Sequence, residues 1–335
     1  MSEPPLITRR PWSWRSQAFR GAVYQVLAVV VIVALLGFLV HNTLINMRLR
    51  GIQSGFDFLW SPAGFDIGEG LFNFDSAQSY AMALLAGLLN TLRVALLGMV
   101  LTTVLGVLVG VGRFSRNALV RGVCRVHVEF FRNVPVLLQL LMWYLVFTEV
   151  LPDALAPWRW GSVFLSKGGL SFPSPSWVDG DVVWDTPFMG EFAVEGGAAL
   201  TPEFMALLLG LSIYTSAFVA EVVRAGIASV PTGQAEAALA LGLSPRLQMR
   251  WVTLPQALRV IIPPLTNQYL NLTKNSSLAV AIGYPDVVSI ANTAINQTGR
   301  AVECIAIIML VYLRTSLSTS WFMNAYNART AFRER

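Results

Sequence analysis

Two pairs of oppositely charged residues stand three positions apart in largely apolar parts of the sequence. Glu129 precedes Arg132, and Glu221 precedes Arg224. Residues three apart share one face of a helix, so each pair can close on itself as an ion pair or present both charges to a polar ligand. The sequence leaves both interpretations open.

Another polar group follows two prolines in an apolar segment. Lys274, Asn275 and Ser276 come ten or so residues after Pro263 and Pro264. A proline removes a backbone donor, and the carbonyl groups that it frees inside a membrane need other partners or line a cavity. We therefore expect the helix to be interrupted at the prolines and the polar residues to lie beside a hydrated path.

The sequence lacks the patterns of the common catalytic centres. A P-loop needs GxxxxGK[ST], and both lysines of the chain, Lys167 and Lys274, follow a residue other than Gly. GxSxG and HExxH are absent, and the two histidines and the two cysteines stand far apart. We expect no catalytic residue, no metal site and no cofactor in this chain.

The composition indicates a membrane protein. The chain has 335 residues, of which 55% are hydrophobic and 13% charged, whereas a soluble chain is about 25% charged. About 20 apolar residues cross a bilayer as a helix. Segments of sufficient length and apolarity lie at 22–44, 82–112, 127–151, 203–226, 257–283 and 302–325. The first has no signal-peptide cleavage site, so we expect an uncleaved anchor and an all-α integral membrane protein of about six spans.

The charges of the connecting segments alternate along the chain. Arginines concentrate in both termini and in the segments 113–126 and 225–256, whereas acids outnumber bases in 45–81 and 152–202. Basic connectors stay on the cytoplasmic side of a membrane. Both termini and the basic segments are therefore expected in the cytoplasm, and the net charge of +5 reports topology rather than a nucleic-acid partner.

This pattern divides the chain into a tail, an anchor, a connector, a core and a second tail. The predicted boundaries are 1–21, 22–44, 45–81, 82–325 and 326–335. The core includes an outer segment, 152–202, which is rich in Trp and Pro. Such a composition suits an ordered cap with its Trp rings at headgroup level. The alternative is that this segment adds two spans, for eight in all.

Charged side chains at the centre of a bilayer cost about 2.5–3.5 kcal/mol on insertion scales, so those within the spans are functional candidates. The candidates for lining a polar pathway are Lys274, Asn275, Ser276, Gln139, Tyr214, Glu129, Arg132 and Glu221.

The loop before the fifth predicted span contains EAALALGLSPRLQMRWVTLP, residues 236–255. Pro231 favours the first turn of a helix, and Gly242 is a residue that ends helices readily. Ser244-Pro245 predicts the start of a second helical piece. A helix of about ten residues is marginal alone, so its alanine-rich surface is expected to pack against something.

The spacing in this loop resembles the EAA loop of ABC importer permeases, EAA-x3-G-x9-I-x-L-P, with Val252 in place of Ile. The loop also follows the third of the last five spans, as in that family. The resemblance implies a coupling helix that docks into a groove on a separate ATPase subunit. The residues that it assigns to coupling are Glu236, Ala237, Ala238, Gly242, Leu254 and Pro255.

Other segments resemble permeases for polar amino acids of the histidine/glutamine type. These are GLLNTLRVALLG (87–98), FFRNVPVLLQL (130–140), YTSAFVAEVVRAGI (214–227) and TKNSSLAVAIG (273–283). FRNVP at 131–135 stands where FRGTP is commoner, so that turn is expected to differ locally. The anchor and the long acidic outer segment resemble the larger permease subunit of general L-amino-acid importers in Gram-negative bacteria.

The resemblance implies the type I ABC importer transmembrane fold, with a five-span core plus the anchor, in the bacterial inner membrane. The implied partners are two ABC ATPase subunits that bind ATP-Mg, a homologous permease subunit in a homodimer or heterodimer, a periplasmic amino-acid-binding protein and membrane lipid. One rival hypothesis is an ion-coupled secondary transporter acting without an ATPase, which predicts inverted repeats. Another is a membrane-embedded enzyme, which needs clustered catalytic groups.

Overall fold

The computed structural model describes residues 14, 16–49, 51, 54–178 and 181–330. The chain divides into two units, Met1–Gly55 and Phe56–Arg335. The first unit contains one long helix, α1 (Gln17–Leu49), which includes the predicted anchor 22–44. Most of the predicted tail 1–21 lies outside the described residues.

The second unit is built mainly from helices. In chain order they are α2 (Tyr80–Gly112), α3 (Ala118–Asn133), α4 (Val136–Leu145), α5 (Pro202–Ala228), α6 (Thr232–Ala240), α7 (Pro245–Gln248), α8 (Leu254–Asn275), α9 (Val287–Thr298) and α10 (Ala301–Thr330). A π-helical turn, Val146–Val150, extends α4, and another, Met249–Thr253, joins α7 to α8. A 3-10 turn, Ser276–Ile282, follows α8.

The number of membrane spans agrees with the prediction of about six. Among the described residues, four helices are long and apolar enough to cross a membrane alone, and six spans result if each of two bent helix pairs counts as one. The first bent pair is α3 with α4, and the second is the segment Pro245–Ile282 with α9.

The predicted span at 127–151 is sharply bent. The axes of α3 and α4 differ by 107°, and the bend lies at Val134-Pro135. Steric clash with a following proline disfavours the helical conformation, and Val134 accordingly has φ −99° and ψ 130°. The motif FRNVP therefore forms a corner between two helices.

The predicted interruption at Pro263 and Pro264 is wrong, because α8 runs through both residues. The face of α8 that carries Ala257 and Ile261 is buried against Val219 and other apolar residues of α5. This packing holds the helix in spite of the two lost donors. The helical path breaks later, in the 3-10 turn, which ends at Gly283 with φ +79°.

Helices α2 and α5 approach each other closely at two glycines of α2. A Cβ atom on Gly106 would lie 2.5 Å from Cγ1 of Val219, and one on Gly110 would lie 2.8 Å from the backbone oxygen of Ala220. Small residues four apart allow this contact between neighbouring membrane helices. The pair α2–α5 forms the centre of the second unit.

The outer segment contains short β-strands that the sequence analysis did not predict. They are β1 (Trp158–Trp160), β2 (Val163–Ser166), β3 (Gly169–Phe172), β4 (Ser174–Val178), β5 (Asp181–Asp185), β6 (Phe188–Met189), β7 (Val194–Glu195) and β8 (Ala198–Leu200). One antiparallel sheet has the order β1-β2-β3-β8, and β4–β5 and β6–β7 are separate hairpins. The alternative of two additional spans is wrong, because the described part of 158–200 forms strands and turns.

Candidate functional site

The loop between α5 and α8 has the local structure that its sequence predicts. Helix α6 begins after Pro231 and ends at a left-handed Gly242 with φ +81°. The backbone N–H of Leu243 then donates to the carbonyl of Ala238 at 3.1 Å, which satisfies one of the free carbonyls at the helix end. The Ser244 hydroxyl accepts from the backbone N–H of Leu247 at 3.4 Å and caps α7.

The exposed side of this loop is chemically mixed. Of the residues assigned to coupling, Glu236, Ala237 and Gly242 are exposed, whereas Ala238 is buried. Large apolar side chains are exposed beside them, with Leu241 at 84% and Trp251 at 66%. Arg246 and Arg250 are exposed as well. The loop therefore offers a firmly folded, partly apolar and basic surface to a binding partner. We call the surface formed by α6, α7, the turn between them and the π-helical turn Met249–Thr253 the coupling surface.

Leu254 and Pro255, the other two residues assigned to coupling, lie elsewhere in the loop. They form the first turn of α8 and are exposed. Helix α7, the π-helical turn and α8 follow one another directly. The coupling surface is thus connected to α8 along a continuous helical path.

A cavity of about 440 Å³ lies where α2, α3 and α5 meet. It is lined by Arg113, Val128, Glu129, Arg132, Asn133, Phe218 and Glu221. The cavity brings together Glu129, Arg132 and Glu221, three of the residues that the sequence selected, from two helices that are far apart in the chain.

The two charged pairs of the sequence behave differently in this cavity. Glu221 forms an ion pair with Arg224, with Nη2 and Oε1 2.5 Å apart, and a second one with Arg113. Within the part of the chain that the structure describes, Glu129 and Arg132 form no ion pair with each other. The Arg132 guanidinium instead lies over the ring of Phe218, 5.3 Å from its centroid. The ion-pair interpretation therefore holds for Glu221 with Arg224 and fails for Glu129 with Arg132.

Arg113 is a functional candidate that the sequence analysis missed. It follows the last residue of α2 and belongs to a run of arginines that was interpreted only as a topology signal. No local spacing connects it to Glu221, which is 108 positions away. The only available signal was general: an arginine at a membrane boundary often pairs with an acidic residue, and this gives no reason to choose Glu221.

Gln139 and Tyr214 lie close to the cavity without lining it. The Gln139 amide nitrogen donates to the carbonyls of Phe131 and Val134, at 2.9 and 2.8 Å, and so holds the corner between α3 and α4. The ring of Tyr214 contacts that of Phe218, with centroids 5.0 Å apart. Both residues support the walls of the cavity.

The polar residues at the end of α8 are not part of this cavity. Lys274 is exposed and Asn275 is half-buried. Ser276 is buried, and its hydroxyl donates to the carbonyl of Thr273 at 2.8 Å. The structure thus separates the predicted pathway residues into two groups.

A second polar network, which sequence reasoning also missed, connects the segment before α2 to the first half of α2 and to the start of α5. Arg93 Nη1 lies 2.7 Å from Glu69 Oε1, and the Thr201 hydroxyl donates to the same carboxylate. Asn90 donates to the backbone oxygens of Glu69 and Pro285, at 2.8 and 2.9 Å. Burial raises the pKa of Glu69, and the hydrogen bond from Thr201 and the charge of Arg93 offset part of this effect.

Comparison with known proteins places these features in context. The family model described as "Binding-protein-dependent transport system inner membrane component" matches residues 102–332. The general L-amino acid transport system permease protein AapQ of Rhizobium johnstonii is 42% identical, covering 97% of this chain and 96% of that protein. The glutamate/glutamine/aspartate/asparagine transport system permease protein BztB of Rhodobacter capsulatus is 34% identical, covering 95% of each.

Among solved structures, a crystal structure of an amino acid ABC transporter with histidines superposes with a TM-score of 0.56 and 26% identity. The similarity covers 75% of this chain and 95% of that chain. Nearly the whole of the solved chain therefore has a counterpart here, and this chain contains additional residues.

Proposed function

Since the chain belongs to the family of binding-protein-dependent transport system inner membrane components, we propose that it is the permease subunit of an ABC importer for polar L-amino acids. The observation that carries this proposal is the 42% identity to a general L-amino acid permease over nearly the full length of both chains. The name of the second relative includes glutamate, glutamine, aspartate and asparagine as its substrates, which favours polar amino acids as the cargo.

The coupling surface is the docking site for the ATPase in this proposal. Glu236 and Gly242 are exposed on α6 and the turn that follows it, and Leu241 and Trp251 are available for burial in a groove. The chain itself performs no ATP chemistry. Two ATPase subunits, which bind ATP-Mg, would each engage one permease subunit.

The second permease subunit follows from symmetry. A pathway between two homologous permeases has two-fold or pseudo-two-fold symmetry, which matches a pair of ATPases below it. Both a second copy of this chain and a homologous chain satisfy this requirement. Closure of the ATPases on ATP would displace the coupling surface, α8 would follow, and α5, which is packed on α8 through Ala257 and Ile261, would move with it.

Orientation and delivery complete the proposal. Both termini and the coupling surface face the bacterial cytoplasm, and the outer segment 152–202 faces the periplasm, where an amino-acid-binding protein delivers the cargo. The polar cavity with Glu129 and Arg132 carries charges of both signs, as a zwitterionic amino acid does. Lys274, Asn275 and Ser276 are the candidates for a separate contact on the path. The permease needs only weak affinity because selection can rest with the binding protein.

The test is reconstitution in lipid vesicles. We expect uptake of labelled glutamine or glutamate only when the ATPase, ATP-Mg and the binding protein are all present. Vesicles with ATP replaced by a non-hydrolysable analogue are the control. Uptake that is driven by a proton or sodium gradient without any ATPase contradicts the proposal and supports the rival secondary transporter.

A further inference from the structure

Helix α3 has three distinct faces when its residues are placed at 100° intervals. One face packs on the bundle: Val128 is buried, and the His127 ring nitrogen Nε2 lies 3.0 Å from the hydroxyl of Ser216 on α5. A second face carries large apolar side chains that lie within about 60° of one another. We call them the apolar stripe, and they are Leu119, Val123, Val126 and Phe130.

The apolar stripe is unpartnered in the protomer. Its four side chains are between 51 and 76% exposed. They extend along nearly the whole length of the helix, so they form one continuous strip. Leaving such a strip in water is unfavourable, which means that lipid or another protein covers it.

Charge surrounds the beginning of the same helix. The segment 113–126 contains four arginines and no acid. Arg113 is engaged by Glu221. The remaining three, Arg116, Arg121 and Arg125, are exposed and form no ion pair with any residue that the structure describes. We call these three the basic cluster. Arg121 donates to the backbone oxygen of Ser115 at 2.9 Å, which leaves its positive charge unneutralised.

The orientation of α3 differs from that of a membrane span. Its axis is turned by 107° from that of α4, and α4 packs along α5, where a Cβ atom on Gly210 would lie 2.7 Å from Leu140. With 16 residues, α3 is about 24 Å long at 1.5 Å per residue, too short to cross a bilayer of about 30 Å. It runs across the bundle.

The depth of α3 follows from what it touches. Ser216, its contact on α5, is 14 residues after Pro202, which corresponds to about 21 Å from the outer end of that helix. Its other neighbour is the end of α2, where Gly112 approaches Cys124. Helix α5 has 27 residues, so the contact at Ser216 lies near its middle, whereas Cys124 lies beside the last residue of α2. Given the orientation in the proposed function, on which this step rests, the first half of α3 lies at the cytoplasmic boundary of the hydrocarbon layer and the second half reaches deeper.

We infer that the first half of α3 is an interfacial segment that binds anionic phospholipid headgroups of the cytoplasmic leaflet. The apolar stripe enters the acyl-chain region, and the basic cluster contacts the phosphates. An apolar face combined with arginines is the arrangement by which amphipathic helices bind anionic membranes. The long arginine side chains can reach the headgroups while their stems cover apolar surface.

The inference is tested with the full transporter, permease with its ATPases, reconstituted in mixed phosphatidylcholine and phosphatidylglycerol vesicles. Spin-labelled versions of each lipid measure the preference of the protein-bound lipid shell for phosphatidylglycerol. An arginine near an anionic surface contributes about fivefold to binding. We expect the triple variant R116Q/R121Q/R125Q to lower the preference at least fivefold, and R116K/R121K/R125K to stay within twofold of the unmodified protein.

Two comparisons make the result specific. The variant R246Q/R250Q removes two arginines from the coupling surface and should leave the preference unchanged; an equal loss there would overturn the assignment to α3. An unchanged preference for phosphatidylglycerol in the triple glutamine variant also overturns the assignment. If that variant releases the ATPases while the lipid preference stays unchanged, the basic cluster contacts protein instead. Added salt serves as a second measurement if the glutamine variant does not fold. Because salt screens the attraction between arginine and phosphate, it must lower the preference for phosphatidylglycerol in both the unmodified protein and the lysine variant. A preference that is insensitive to salt overturns the inference. The assay uses no ATP, amino acid or binding protein, so a failure of the proposed transport function does not affect it.

Discussion

Arg113, at the end of α2, forms an ion pair with Glu221 on α5, 108 positions later in the chain. Glu221 also holds Arg224 of its own helix, so one carboxylate pairs with two arginines and the group keeps a net charge of +1. The pair connects the C-terminal ends of α2 and α5, the two helices that form the centre of the fold. Arg113 and Glu221 also line the polar cavity, together with Glu129 and Arg132.

The first prediction concerns this carboxylate. Glu221→Gln leaves Arg113 and Arg224 without their acid. Because these side chains are about one-fifth to one-third exposed, the cost lies between that of a surface pair and a buried pair, about 1–2 kcal/mol. Thermal unfolding in detergent should show a lower Tm. Glu129→Gln, at a carboxylate of the same cavity with no ion pair to Arg132, is the matched control, and an equal drop in that variant would contradict the structural role of Glu221.

The second prediction concerns the contact between α2 and α5. Gly110→Ala places a Cβ atom 2.8 Å from the backbone oxygen of Ala220 and 2.9 Å from Cβ of Val223. The helices must separate, and we expect a loss of about 1–3 kcal/mol in the free energy of unfolding.

The control for this change is Gly122→Ala on α3, where a Cβ atom meets nothing within 4 Å. Alanine is the better helix former, so this variant should be as stable as the unmodified protein or more stable. If Gly110→Ala is equally well tolerated in the same unfolding measurement, α2 and α5 do not pack as closely as the structure has them.

The sequence predicts features that depend on neighbouring residues better than features that depend on distant ones. Apolar runs locate the spans, and the loop follows from local rules, because Gly242 and Ser244 act on their nearest neighbours. Pro135 and Pro263 show the limit of such rules. The first breaks a helix as proline should, whereas the second is tolerated because the surrounding face of α8 is buried against α5, which is a tertiary effect.

Long-range polar contacts and very short strands escape prediction for physical reasons. Glu69 and Arg93 are 24 positions apart, and Arg113 and Glu221 more than a hundred, so no helical spacing relates them. The strands of the outer segment have two to five residues, too few for a period of two to be recognised. The exposure of the apolar stripe of α3 depends on how this helix packs beside α2 and α5, which is again a tertiary effect.

The third prediction concerns the coupling surface. Glu236→Lys reverses an exposed charge on α6 without disturbing the core, so the Tm of the permease should stay unchanged. We expect the stimulation of ATP hydrolysis by the binding protein to fall at least tenfold, because the proposed ATPase groove meets the wrong charge. Glu191→Lys, the same change on the outer segment, should preserve stimulation. Full stimulation in the Glu236 variant would remove this residue from the coupling site.

The fourth prediction concerns pH and Glu69. Burial raises the pKa of this carboxyl above its ordinary value of 4.5, so the folded state binds the proton more tightly than the unfolded state. The stability that comes from this difference is present in full below 4.5 and is lost as the pH rises through the raised pKa. The advantage in Tm of the unmodified protein over Glu69→Gln should therefore shrink as the pH rises from 4.5 toward neutrality.

Substitution of Thr201 checks the cause of the shift. Thr201→Val removes the hydroxyl that donates to Glu69 and lowers its pKa, so the pKa should rise further and the loss of stability should extend to higher pH. Thr201→Ser keeps the hydroxyl and should retain the profile of the unmodified protein. Valine also removes a cap of α5, which lowers stability at every pH, so the slope of Tm against pH is the quantity to compare. A stability difference between the unmodified protein and Glu69→Gln that grows with pH would mean that the charge of Arg93 outweighs burial at this site.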